Sequence, residues 1–137
     1  MADTYRVGND STPILIQIQV GSAANCQSKV IRKTGGDTVI LIPPFDGSLD
    51  PTSLGTGAKL SGSALWIETI AGLKLLPDSA IEEIKADKGA VAKYVRIDYG
   101  LEGGPDGSKK FHYLPGEVTL SSDFTQAFIL KTMNLVA

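Results

Sequence analysis

Apolar and polar side chains alternate along residues 14–20, which read Ile-Leu-Ile-Gln-Ile-Gln-Val. From Ile16 onward the apolar side chains share one face and the glutamines share the other, because successive residues of a β-strand point to opposite sides. This period of two predicts a strand with one face on a core and the other in water.

The same period returns several times, always between breaks rich in glycine, proline and aspartate. It predicts further strands at Thr4–Val7, Gln27–Lys33, Thr38–Ile42, Leu65–Ile70, Val91–Leu101, Lys109–Leu114 and Thr125–Leu135. Gly35-Gly36-Asp37 is typical of a tight hairpin turn between two of them. The pattern predicts a mainly β fold: a single antiparallel β-sandwich domain over 1–137, jelly-roll or Ig-like, with seven or eight strands.

Three features predict positions within the sheets. Gln27–Lys33 carries basic residues on both faces, so we expect it near an edge, where charge discourages stray pairing. Val39–Ile42 is apolar on both faces and is expected to be a covered central strand or a subunit contact. Pro43-Pro44 should end it, because proline cannot donate to the ladder. The ring of Trp66 is expected in the core.

One short helix is predicted near 78–88. Asp78 can cap its first turn, and Ser79 with Glu82 has the spacing of a capping box. Gly89 can end it. A strand over Ala80–Lys85 is the competing interpretation.

Two segments are predicted to be loops that contact a partner, 45–63 and 102–110. Loops of a β scaffold commonly carry recognition, and a long irregular segment in a compact domain is often functional. The candidate binding residues in and around these loops are Asp46, Asp50, Asp106, Lys109 and Lys110.

Composition excludes several classes of function. The chain has 137 residues, a net charge of −2 and scattered lysines and arginines, so we expect no nucleic-acid binding. No apolar run is long enough to span a bilayer, and the N-terminal residues do not resemble a secretory signal. We therefore expect a protein that is cytoplasmic or exported by a dedicated machine. The single cysteine, Cys26, excludes an intramolecular disulfide.

The candidate chemistry is sparse. His112 is the single histidine, and no partner for a general base can be identified from the sequence. Residues 55–61 resemble a phosphate loop only faintly, because Gly, Lys and Ser are not contiguous. Asp-Gly sequences near 46 and 106 suit calcium ligands but are also ordinary turns. We expect no metal and no cofactor.

Three functions follow from these observations. The first is a non-enzymatic module that binds a protein partner through 45–63 and 102–110, or that packs as a subunit of a larger particle. The second is a carbohydrate-active or small-molecule enzyme that uses a concave sheet face, with Tyr94, Asp98, Glu68 and Glu117 as candidate groups. The third is calcium-assisted ligand binding, carbohydrate included, by the aspartate loops.

Overall fold

The computed structural model describes residues 3–22 and 25–137, which form a mainly β structure of two sheets. The strands are β1 (Asp3–Arg6), β2 (Pro13–Ser22), β3 (Asn25–Thr34), β4 (Asp37–Asp46), β5 (Leu49–Thr56), β6 (Ala64–Gly72), β7 (Val95–Glu102), β8 (Lys109–His112), β9 (Val118–Leu120) and β10 (Gln126–Val136). The helices are α1 (Gly57–Leu60), α2 (Asp78–Ala86) and α3 (Val91–Tyr94), with 3₁₀ turns at Lys88–Ala90 and Pro115–Glu117.

The six-stranded sheet has the order β1-β10-β6-β3-β4, and β9 also pairs with β10. The four-stranded sheet has the order β5-β2-β7-β8. Both β1 and β9 lie on the same edge of β10, because β6 occupies its other edge. The pairing of β1 with β10 is parallel, so the expectation of a wholly antiparallel arrangement is wrong at this edge.

One hydrophobic cluster contains the inward side chains of both sheets. Ile16 and Ile18 of β2, and Ile67 and Ile129 of the six-stranded sheet, are buried in it. The alternation that begins at Ile16 is therefore confirmed as core against solvent, since Gln17 and Gln19 lie on the outer face.

The strand count and the first predicted loop need correction, because residues 3–22 and 25–137 form ten strands. The segment 45–63 is mostly regular: it contains the end of β4, all of β5 and α1. The sequence of β5 shows no clear alternation, and its pairing with β2 shifts register twice. A strand without period two cannot be recognised from its pattern.

The expected positions of β3 and β4 are reversed. β3 lies inside the sheet between β6 and β4, whereas β4 is the edge strand. The charges of β3 need no edge, because Lys29 pairs with Glu68 on the outer face. β4 continues through Pro43-Pro44 to Asp46, which is possible because an edge strand has no neighbour on its free side.

The helix at 78 is confirmed as α2, so the alternative strand is wrong. Its N-cap is Pro77 and no side chain caps it, contrary to the expected roles of Asp78 and Ser79. Its core-facing residues are Ala80 and Ile84. Among the residues that the structure describes, no helix combines the length and apolar character that crossing a membrane would need.

Trp66 is not a core residue. Its ring lies half-buried on the outer face of β6, beneath Lys33 Nζ at 3.6 Å from the ring centroid. The strand expected from Val91 begins only at Val95, after the helical turn of α3.

Candidate functional site

The outer face of the four-stranded sheet is polar. Its side chains form two rows across neighbouring strands, set by the register of β2 with β7 and of β7 with β8. The rows are Gln17–Gly100–Lys110 and Gln19–Asp98–His112.

Gly100 creates a depression in the first row. The cavity there has a volume of about 330 Å³, and its lining includes Gln17, Glu102, Lys109 and Lys110. A Cβ atom added at Gly100 would lie 3.7 Å from its nearest neighbour, Gln17 O, which is an ordinary van der Waals contact, so a methyl group would fit there. The Gln17 amide, the Glu102 carboxylate and the Lys110 ammonium lie on this face and offer both donors and acceptors to a polar ligand.

A second cavity of about 260 Å³ lies further along β7 and β8, and its lining includes Lys93, Arg96, Asp98 and His112. His112 Nδ1 is 2.9 Å from Asp98 Oδ1. Tyr113 also borders this cavity, but its hydroxyl donates to the backbone oxygen of Val95, and burial raises the pKa of that phenol. None of the described residues that line this cavity is a serine, threonine or cysteine. The His112–Asp98 pair therefore has no nucleophile beside it in this cavity to complete a catalytic triad.

The loop between β7 and β8 is held by β1. Tyr5 Oη accepts a hydrogen bond from Gly104 N at 3.0 Å and donates one to Gly107 O at 2.9 Å. Asp106 forms an ion pair with Arg6 at 3.0 Å. The approach is so close that a Cβ atom at Gly104 would lie 1.9 Å from Arg6 O. This loop is therefore a fixed support for β8.

The structure separates the predicted site residues into two places. Lys109 and Lys110 line the cavity at Gly100, and Asp106 supports the nearby loop. Asp46 accepts a hydrogen bond from Gln27 Nε2 at 3.4 Å, and Asp50 lies in β5.

The turn between Asp46 and Asp50 is far from the β7–β8 loop. At this turn Ser48 Oγ accepts a hydrogen bond from Val20 N, near one end of β2. The β7–β8 loop lies beside the other end of β2, since a Cβ atom added at Gly103 would overlap Pro13 O. Val20 and Pro13 are about 23 Å apart along β2 at ~3.3 Å per residue. Over the described residues, no group of three His, Cys, Asp or Glu side chains could hold a metal ion.

The candidate catalytic carboxylates are engaged in structural contacts. Glu68 pairs with Lys29 at 3.6 Å. Glu117 accepts from Lys131 Nζ at 3.3 Å, from Leu114 N at 2.8 Å and from Thr132 N at 3.3 Å. Both border a depression of about 230 Å³ on the six-stranded sheet, where their contacts tie them to the scaffold.

The other two candidates lie elsewhere. Asp98 is on the four-stranded sheet beside His112, and Tyr94 donates to Glu83 at 2.6 Å. Hydrogen bonds from Lys93, and then from Tyr94, lower the pKa of Glu83. The four groups therefore do not converge on one centre.

Sequence reasoning did not include Gln17, Arg96 or Gly100 among the candidate site residues. Gly100 gave one signal, because a glycine inside a strand often marks a site where a ligand or another backbone approaches the sheet closely. The alignment of Gln17 with Gly100 had no such signal, since it depends on strand register.

Comparison with known proteins found no matching family model, no similar curated protein and no similar solved structure.

Proposed function

We propose that this protein is a non-enzymatic binding module that recognises an acidic, extended segment of a partner protein along β8. The module is proposed to be a β-sandwich of the jelly-roll or Ig-like kind, and the core shared by its two sheets supports this architecture. The observation that carries the function is the position of Lys109 and Lys110 on an edge strand, above a rigid loop and beside a polar cavity.

Among the described residues β8 is the last strand of its sheet, so its outer edge pairs with no further strand. Proteins that recognise extended peptides commonly add the peptide to such an edge, where backbone hydrogen bonds give affinity and neighbouring side chains give specificity.

Charge favours an acidic segment over a neutral or basic one. Lys109 and Lys110 are exposed on β8, and Arg96 borders the next cavity, where Lys93 is already paired with Glu83. Of the two acidic groups that line these cavities, Asp98 already faces His112. The excess of positive charge would steer a partner's carboxylates to this edge and disfavour a basic peptide.

The rigid loop reduces the entropic cost of binding. The contacts of Tyr5 and Arg6 hold residues 104–107 in place before a partner arrives. An interface that is ordered in the free protein loses less conformational freedom on association.

The test is fluorescence anisotropy with a labelled peptide in which glutamate alternates with valine, compared with the same peptide carrying lysine in place of glutamate. We expect binding of the acidic peptide alone, weakened by added salt because exposed charges are screened. Methylation of alternate backbone nitrogens of the acidic peptide should abolish binding, because a strand cannot pair without its N–H groups.

The variant Lys109→Glu/Lys110→Glu should weaken acidic-peptide binding by at least about tenfold, a loss of ~1.4 kcal/mol. Lys74→Glu is the matched control, since Lys74 lies outside both cavities on this face. Equal losses in the two variants, or equal binding of acidic and basic peptides, would contradict the proposal. Binding of polygalacturonate without binding of the peptide would replace the protein partner by a carbohydrate.

A further inference from the structure

The start of β4, directly after the hairpin turn, is exposed on both of its faces. Residues 37–40 are all exposed, Val39 by 40% and Ile40 by 56%. Among the described strands, only β3 pairs with β4. Natural edge strands usually carry lysine, proline or a bulge that discourages pairing with another chain, whereas Asp37 is the one charged residue of this segment. This edge is therefore open to a further strand.

The turn determines which backbone groups of β4 are free. In a hairpin with a two-residue turn, the residues that flank the turn exchange both backbone hydrogen bonds, and bonded and non-bonded pairs then alternate along the ladder. Thr34 and Asp37 flank the turn, so Asp37 and then Val39 direct their N–H and C=O groups to β3. Thr38 and Ile40 consequently direct theirs to the free edge.

A second copy of β4 satisfies all of these groups in one antiparallel register. A twofold axis perpendicular to the sheet at Val39 sets Thr38 of each copy against Ile40 of the other. Each of these residues donates one hydrogen bond and accepts one, so four hydrogen bonds form across the axis. A shift of two residues either way would set one of them against Gly36 of the turn or against Ile42 beyond the register shift, where fewer bonds could form.

The side chains are compatible in the same register. Val39 faces Val39 of the second copy in a non-hydrogen-bonded pair, the kind in which side chains approach most closely. On the other face Ile40 lies beside the methyl group of Thr38, and Asp37 lies opposite Leu41, so no like charges face each other. Pro43 lies past the last paired residue, and the pairing needs no N–H group from it.

We propose that β4 pairs with β4 of a second copy of this chain in this register, which joins the two six-stranded sheets into one continuous sheet. β4 then lies inside a sheet, which agrees with the apolar side chains on both of its faces. The contact is at the edge of another sheet from β8 and does not depend on the proposed peptide binding.

Sedimentation velocity of the full chain from about 10 μM to about 1 mM tests the proposal. The paired segment is short, so we expect a weak dimer with a dissociation constant on the order of 100 μM. Val39→Lys should raise this constant at least about tenfold, because two ammonium groups would then face each other across the axis. Leu75→Lys is the matched control and should leave it unchanged, since Leu75 is 74% exposed and lies outside β4.

Mixing two charge variants tests the position of the axis. Val39→Lys alone and Val39→Glu alone should each be monomeric where the wild type dimerises, because each variant sets like charges in contact. An equimolar mixture should form a heterodimer, in which the ammonium group of the first variant faces the carboxylate of the second. This result is expected only if residue 39 of one copy faces residue 39 of the other.

A proline variant tests the backbone pairing without changing the apolar side chains. Thr38→Pro removes the N–H group that faces the second copy, and with it two of the four hydrogen bonds, while the bonds to β3 remain. It should raise the dissociation constant at least about tenfold, whereas Thr38→Ala keeps the N–H group and should change it by less than about threefold.

A monomer at all concentrations would overturn the proposal. So would a dimer that Val39→Lys or Thr38→Pro leaves intact, or a mixture of the two charge variants that stays monomeric. Circular dichroism of each variant shows whether it is folded, and the mixing experiment remains decisive if the proline variant is not.

Discussion

The two outer faces of this protein differ although both belong to sheets that cover the same core. The four-stranded sheet presents Gln17, Gln19 and the Asp98–His112 pair to solvent, with an open place at Gly100. The six-stranded sheet presents the exposed apolar side chains of Ile40, Ile70 and Phe128 around the Lys29–Glu68 ion pair. Because folding requires burial only of the inner faces, each outer face is free to suit a different contact.

The inner face of the six-stranded sheet also carries a buried charge. Lys131 points inward from β10, is 1% exposed, and contacts Asp3 and Glu117. β9 pairs with Ala127–Ile129 and β1 with Met133–Val136, so Lys131 lies at the break between two strands on one edge. At this break the carboxylate of Glu117 accepts a hydrogen bond from Thr132 N, which a neighbouring strand would otherwise accept.

The largest expected effect tests this ion cluster. Glu117→Ala should lower the free energy of unfolding by about 3 kcal/mol, because it leaves a buried ammonium short of a partner and removes an acceptor from two backbone N–H groups. Glu68→Ala is the matched change at an exposed pair and should cost less than about 1 kcal/mol. Urea unfolding measures both, and equal losses would mean that Lys131 does not depend on Glu117.

The next effect concerns the loop that supports the polar face. Gly104→Ala should cost about 2 kcal/mol, because the added Cβ would overlap Arg6 O and push the loop away from β1. Gly116→Ala has open space around its Cβ and should change stability by less than about 0.5 kcal/mol. Thermal unfolding checks the difference. A tolerated Gly104→Ala would show that the loop moves freely.

A smaller effect compares lysines on the two faces. Lys33→Gln should cost about 0.5 kcal/mol, because the ammonium of Lys33 lies over the ring of Trp66. Lys110→Gln, on the polar face, should cost only a few tenths of a kcal/mol. The two values come from urea midpoints at fixed pH. If they are equal, the contact with Trp66 adds no stability.

The smallest effect is a pH dependence in the β9–β10 turn of the six-stranded sheet. Hydrogen bonds from Thr125, and then from Ser121, lower the pKa of Asp123 from 3.8 to about 2. A lowered folded pKa contributes stability that is complete above 3.8 and is lost as the pH falls through about 2. The stability difference between wild type and Asp123→Ala should therefore be constant near neutrality and shrink in acid. Urea unfolding at several pH values measures it, and a constant difference would contradict the assignment.

Much of the strand content could be predicted from the sequence, because alternation is a local property. Ile16 to Val20, Leu65 to Ile70 and the hairpin at Gly35-Gly36 were all recognised in this way. The predicted helix is present because its apolar residues recur at helical spacing. β5 was missed because its sequence carries no period of two.

Positions within the sheets could not be predicted in this way. Apolarity on both sides of Val39–Ile42 predicted a covered central strand or a subunit contact, whereas β4 is an edge strand with Ile40 exposed. The same local pattern suits a strand covered on both faces and an edge strand whose apolar side chains remain exposed. Composition cannot distinguish them.

For the candidate site, the sequence pointed to Lys109 and Lys110 through the loop that precedes them. It could not predict that Gln17 lies beside them, because that depends on strand register. It also could not predict that Asp46 and Asp50 lie far from them, because that depends on distance across the fold.

The sequence by itself determined which side chains alternate between the hydrophobic core and solvent, and hence that the chain forms strands around a shared core. Only the tertiary structure decided which strands are neighbours, that Lys131 is buried, and which apolar side chains remain uncovered. The physical reason is that alternation is set by bonds between adjacent residues, whereas burial is set by contacts between residues far apart in the chain.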